Sequence, residues 1–188
     1  VKIMVDLLVL GIIAIVIVLV LWIIGAYNRL ITLRNRIDNA WSQIDVQLKR
    51  RFDLIPNLVE TVKGYAKHEK TTLTDITKYR GMLMQGAPEE RASANNMLTQ
   101  ALGKLFAVAE NYPQLRANEN FLKLQDELAG TENKISYVRT AYNDSVLEYS
   151  NSIQMFPGSI VAGIFGFKQK AYLETPGHER EVVKVKFE

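Results

Sequence analysis

Residues 26–55 read AYNRLITLRNRIDNAWSQIDVQLKRRFDLI. The apolar positions Leu30, Leu33, Ile37, Trp41, Ile44, Leu48, Phe52 and Ile55 are spaced by three or four throughout, which is the repeat of one helix face. Arg29, Arg34, Arg36, Asp38, Gln43, Asp45, Gln47, Lys49 and Arg50 fall between them, as a solvated face requires. No glycine or proline interrupts the path from Ala26 to Ile55, so the stretch predicts one unbroken helix.

Immediately upstream, Leu7 to Ile24 reads LLVLGIIAIVIVLVLWII, with no charged residue. About 20 apolar residues at ~1.5 Å each match a hydrocarbon layer roughly 30 Å thick, so this segment is expected to span a bilayer. A cleaved secretory signal would need a basic start, a shorter apolar run and small residues at the cut. Here Asp6 balances Lys2, the run is too long, and Ile24-Gly25-Ala26 suits cleavage poorly. Trp22, Tyr27 and Arg29 are the expected membrane-interface residues, because amphipathic rings and cations settle where hydrocarbon meets water. Arg34 and Arg36 add to the positive charge on that side, so the short amino terminus is expected outside and the carboxyl-terminal domain in the cytoplasm. With no breaker between them, anchor and first bundle helix are expected to be one element.

Downstream, Pro56 lacks the amide hydrogen a helix interior needs, so the first helix is expected to stop near Asp53 and a second to run from Pro56 to Met84. Gln85-Gly86-Ala87-Pro88 is a turn, and Glu89 to Tyr112 repeats the helical spacing before Pro113. From Asn118 onward, Phe121, Leu128, Ile135, Tyr142, Tyr149 and Phe156 recur every seven residues, with Leu124 and Val138 between them. Thr131, Ser145 and Ser152 occupy the remaining seam positions, and these small polar residues favour packing inside a bundle over an isolated coiled coil. The predicted fold is all-α: a transmembrane anchor at 1–27, an elongated antiparallel bundle of about four helices at 28–156, and an apolar segment with an extended tail at 157–188. Within the tail, Val182 to Phe187 alternates in part like a strand.

Phe156 to Phe167 is too short to cross a bilayer and too apolar for a free loop. Phe156, Ile160, Ile164, Phe165 and Phe167 are therefore candidate interaction residues. Three places are open to them: beneath the bundle as a cap, in the bilayer interface, or against a neighbouring copy. Lys49-Arg50-Arg51 has two readings as well, as cations suited to the negative end of the first helix or as a docking patch for a partner. About 25 residues beyond the bilayer put that patch roughly 35 Å from the membrane surface, outside a Debye length of about 8 Å, so lipid of the same membrane is not its target.

Catalytic signals are absent from the sequence. The chain has no cysteine, and its two histidines, His68 and His178, stand in unrelated contexts. His68-Glu69 begins like a zinc-protease helix motif, but Thr72 stands where the second histidine belongs. No phosphate-binding loop is present, and a formal charge of +3 with both signs interspersed gives nucleic-acid binding no support. The expectation is no enzyme activity, no cofactor and no metal.

Ala40-Trp41-Ser42-Gln43-Ile44-Asp45-Val46-Gln47-Leu48-Lys49-Arg50-Arg51, followed by Asp53-Leu54-Ile55-Pro56-Asn57-Leu58, resembles the signature of the bacterial LemA family. Ala109-Glu110-Asn111-Tyr112-Pro113, Thr131-Glu132-Asn133, Tyr142-Asn143 and Phe156-Pro157 resemble its later landmarks in the same order. Lys78-Tyr79-Arg80-Gly81 departs from it in being less alanine-rich. The resemblance implies a single-pass protein of the bacterial inner membrane with an antiparallel helical domain and no assigned activity. It also implies relatives at magnetosome membranes, and membrane proteases as partners by association. Together these readings predict a non-enzymatic, membrane-anchored scaffold or adaptor that self-associates or docks other membrane proteins, with the bilayer as its first partner. The alternative is membrane remodelling through Phe156 to Phe167.

Overall fold

The computed structural model describes residues 2–66 and 69–174. Among the described residues six helices follow in order: α1 (Lys2–Lys63), α2 (Lys70–Met82), α3 (Pro88–Ala109), α4 (Pro113–Arg116), α5 (Glu119–Gln154) and α6 (Gly158–Phe165). No strand occurs among the described residues, and the tail from 175 onward, with its strand-like Val182 to Phe187, lies outside them. The chain forms two compact units, one from α1 up to Asn39 with Asp144–Lys170, the other from Ala40–Asn143 with the segment beginning at Ala171.

In the second unit, Asp45 and Arg51 of α1 meet Arg91 and Asn95 of α3 in the same order, so these helices run parallel. Against α5 the order reverses. Trp41 faces Tyr142 with ring centroids 6.3 Å apart, and Arg50 pairs with Glu127 at 3.7 Å. Ile44, Leu48, Ile55 and Leu58 of α1 are buried with Leu73 and Ile76 of α2, Leu98 and Leu105 of α3, and Phe121, Leu128 and Ile135 of α5. These are the stripes that the three-and-four spacing marks, and burying such side chains contributes about 1.5–3 kcal/mol each.

The expected break at Pro56 is not there. Helix α1 runs through Pro56 to Lys63, and α2 begins only at Lys70. Proline cannot donate to the carbonyl four residues back, which leaves the Phe52 oxygen without its helical partner. Arg80 of α2 fills the vacancy: its Nε donates to the Phe52 carbonyl at 2.9 Å, and its guanidinium lies over the Phe52 ring at 3.8 Å. The helix therefore survives its proline because a neighbouring helix supplies the missing donor.

The turn between α2 and α3 is where the sequence places it. Gly86 has a φ of +85°, and a side chain there would run into the Glu90 carboxylate, which itself accepts from the Ala87 amide at 3.0 Å. Helix α3 ends at Ala109 rather than Tyr112, Pro113 starts the single turn α4, and Asn118 caps α5 by accepting from the Phe121 amide at 3.0 Å.

In the first unit, α1 carries the stretch long and apolar enough to cross a membrane, and none of that stretch is buried in the protein. Beyond it, Leu30, Leu33 and Ile37 are buried together with Val146, Tyr149 and Ile153 of α5. The seven-residue stripe holds as far as Tyr149, but its last member, Phe156, is 81% exposed because α5 stops at Gln154. Gly158 starts α6 so close to the Ser152 carbonyl that a β-carbon would not fit. Gly166, with a φ of +69°, ends it, and the Phe167 amide donates back to the Ala162 carbonyl at 2.9 Å.

Candidate functional site

Two groups of residues emerge, one in each unit. In the second unit, Arg51 sits on the core stripe between Leu48 and Ile55 and is only 2% exposed. Its Nη1 donates to Asn95 Oδ1 at 2.7 Å and to Thr99 Oγ1 at 3.0 Å, and it forms an ion pair with Glu132. Burial pushes the Arg51 guanidinium below its ordinary value, the Glu132 carboxylate draws it back, and Arg139 adds a smaller downward push. A second pair, Arg91 with Asp45, lies alongside: Arg91 also donates to the Leu83 carbonyl at 2.7 Å and stands 5.2 Å from the centre of the Trp41 ring. The motif residues Trp41, Asp45 and Arg51 thus join α1 to α3 and α5.

This placement removes Arg51 from the Lys49-Arg50-Arg51 patch. Arg51 points into the core, whereas Lys49 pairs with Asp53 at 3.6 Å and Arg50 with Glu127 at 3.7 Å on the surface. Nor do the three cations mark a helix end, because α1 continues to Lys63. Sequence reasoning assigned no role to Arg91 or Asn95, and it marked Glu132 and Arg80 only as part of a landmark and of a departure from the family pattern. A signal for one of them was present, since Asn95, like Arg51, occupies a stripe position between apolar neighbours. A groove of about 420 Å³ opens between α1 and α5, where Val46 is 63% and Tyr137 78% exposed.

In the first unit, aromatic residues of the apolar segment pack against α1 where its apolar stretch ends. The Tyr27 ring lies 4.8 Å from that of Phe165 and 5.6 Å from that of Phe167, and the Arg34 guanidinium lies 5.9 Å from the centre of the Phe167 ring. Val161 and Ala162 form the buried face of α6, while Phe156, Ile160, Ile164 and Phe165 remain exposed. The apolar segment therefore has one face packed and one open. Tyr149 ties down the segment after α6 by donating its hydroxyl to the Lys168 carbonyl at 2.9 Å, and Lys170 pairs with Asp38 at 3.6 Å. Burial raises the Tyr149 phenol above its ordinary value of 10.0, Arg34 opposes this and Asp38 reinforces it. A separate cleft, of about 520 Å³, has Trp22, Gly25 and Arg29 of α1 on one side and Ser152, Met155 and Phe156 on the other. His68 and His178 lie outside the described residues.

A profile of the LemA family matches residues 40–187. Protein LemA of Metamycoplasma hominis is 30% identical over 74% of this chain, and the match spans 64% of that relative's own length. Magnetosome protein MamQ of Magnetospirillum gryphiswaldense is 24% identical over 84% of the chain and 68% of its own length. Magnetosome protein MamQ 2 of Paramagnetospirillum magneticum is similar to the same extent.

Proposed function

This chain belongs to the LemA family, and from that premise and the bundle's geometry we propose that it is a membrane-anchored helical scaffold rather than an enzyme. In this reading the apolar stretch of α1 spans the bacterial inner membrane once, with the carboxyl-terminal domain in the cytoplasm, and the bundle self-associates or docks other membrane proteins. The observation that carries it is the use of the motif's charges. Arg51 is buried against Glu132, and Arg91 pairs with the half-exposed Asp45, so these charges serve to hold helices in register and leave partner contact to the exposed groove at Val46 and Tyr137. Membrane proteases fit such a docking role by family association, and the relatives described as magnetosome proteins fit a role in membrane organisation.

A photo-crosslinking residue at Tyr137 in the full chain tests this in native membranes. A discrete adduct, either at the mass of two copies or with one other membrane protein, is expected. A strict monomer in detergent at every concentration, with no adduct, would overturn the scaffold reading.

Membrane remodelling is the second reading, favoured by the open face of α6. The full chain in liposomes should then tubulate or bud them at high density, and Ile164→Asp should abolish the effect. Liposomes that keep their shape at every density would sink it.

A further inference from the structure

Trp22, Gly25, Ala26 and Arg29 fall at successive turns of one helix face, so two small residues separate an aromatic ring from a cation. The gap is open, because a β-carbon added at Gly25 would meet no atom within 4 Å. The other wall is the end of α5 and the corner before α6, where Met155 and Phe156 are exposed beside the span. The resulting cleft of about 520 Å³ lies within the size range of small-molecule sites.

Its depth identifies its surroundings. Arg29 is five residues beyond Ile24, the last residue of the apolar run, and ~1.5 Å per residue puts it about 7 Å past the hydrocarbon edge. Each headgroup layer of a bilayer is roughly 5–8 Å deep, so Arg29 stands at the level of lipid phosphates. It is exposed and has no ion pair or side-chain hydrogen bond among the described residues. The carboxylate on the rim, Glu148, is held by Arg36 at 3.4 Å.

We propose that this cleft binds one glycerophospholipid, its phosphate paired with the Arg29 guanidinium and its upper acyl carbons laid against Trp22, Met155 and Phe156. A guanidinium suits phosphate oxygens through parallel N–H donors, and acyl carbons laid on the apolar wall take the exposed Met155 and Phe156 out of water. The bound lipid completes the open side of the corner that launches α6. This site rests on the reading that α1 spans the bilayer.

The test uses the full chain, extracted in mild detergent and washed extensively with lipid-free detergent. Native mass spectrometry should show one phospholipid retained per protomer. Gly25→Leu, which fills open space and strengthens the helix, and Arg29→Gln should each lower retention at least tenfold, while Arg29→Lys restores most of it. Phosphatidylglycerol or phosphatidylethanolamine added back should rebind to the wild type, and inorganic phosphate should not displace them. Equal retention by the wild type and Gly25→Leu, no retained phospholipid at all, or displacement by millimolar phosphate would overturn the proposal. Alkali extraction of the same membranes separates the two readings. Alkali-resistant wild type without retained lipid defeats the site alone, whereas wild type released by alkali defeats the anchor and the site together.

Discussion

A buried arginine at position 51 places more of the bundle's stability at one residue than the two cations beside it. Truncating one partner of a buried pair leaves the other uncompensated, so Arg51→Met should destabilise the fold by about 3–5 kcal/mol. Arg51→Met combined with Glu132→Met should recover most of that loss, since an apolar pair of similar volume carries no desolvation cost. Lys49→Ala and Arg50→Ala, which break exposed pairs, should each cost under about 1 kcal/mol. Urea denaturation of the four variants checks the ranking. Tyr149 makes a different kind of prediction. Its neutral phenol is favoured in the fold, so its contribution is complete below its ordinary value of 10.0 and is lost as the pH rises through the raised folded value. Thermal melts from pH 9 to 11 should show a steeper fall for the wild type than for Tyr149→Phe. Parallel curves would mean that the phenol's titration is not felt.

At the level of elements, α1 persists through Pro56 only because α2 brings Arg80 to the Phe52 carbonyl. Arg80→Ala strands that part-buried acceptor and should cost about 1 kcal/mol. Pro56→Ala restores an amide able to bond the same oxygen, so Arg80→Ala should cost clearly less in that background. The two changes form a double-mutant cycle. Additive effects would show that Arg80 acts through its stacking on Phe52 rather than through the carbonyl. Helix α5 shows the complementary case: its stripe continues on paper to Phe156, but the helix stops two residues short and turns that ring outward.

For the whole molecule, topology is the property that the proposed function depends on most directly. The chain has no cysteine, so Lys123→Cys on the exposed side of α5 gives a single labelling site. In intact cells a membrane-impermeant maleimide should leave it unlabelled until the inner membrane is permeabilised, and immediate labelling would reverse the proposed orientation. Removing residues 1–26 should move the protein from the membrane fraction to the soluble fraction with its bundle still helical. The core residues Ile44, Leu48, Leu58, Leu98 and Leu128 all lie beyond the deleted segment.

The sequence by itself determined the all-helical class, the apolar stretch of α1, its unbroken passage into the bundle and most of the buried stripes. Each follows from spacing along one chain or from transfer of side chains between solvents, and neither needs a neighbouring element. It also carried the family, through the run from Ala40 to Leu58. Only the tertiary structure decided that Pro56 does not end a helix, because the donor that replaces its missing amide arrives from residue 80. Only it turned Arg51 inward, where Asn95, Thr99 and Glu132 converge from two other helices to meet the charge. The cleft beside Arg29 belongs to the same class: Gly25 is an unremarkable helix residue in sequence, and it becomes a notch only when Met155 and Phe156 stand across from it.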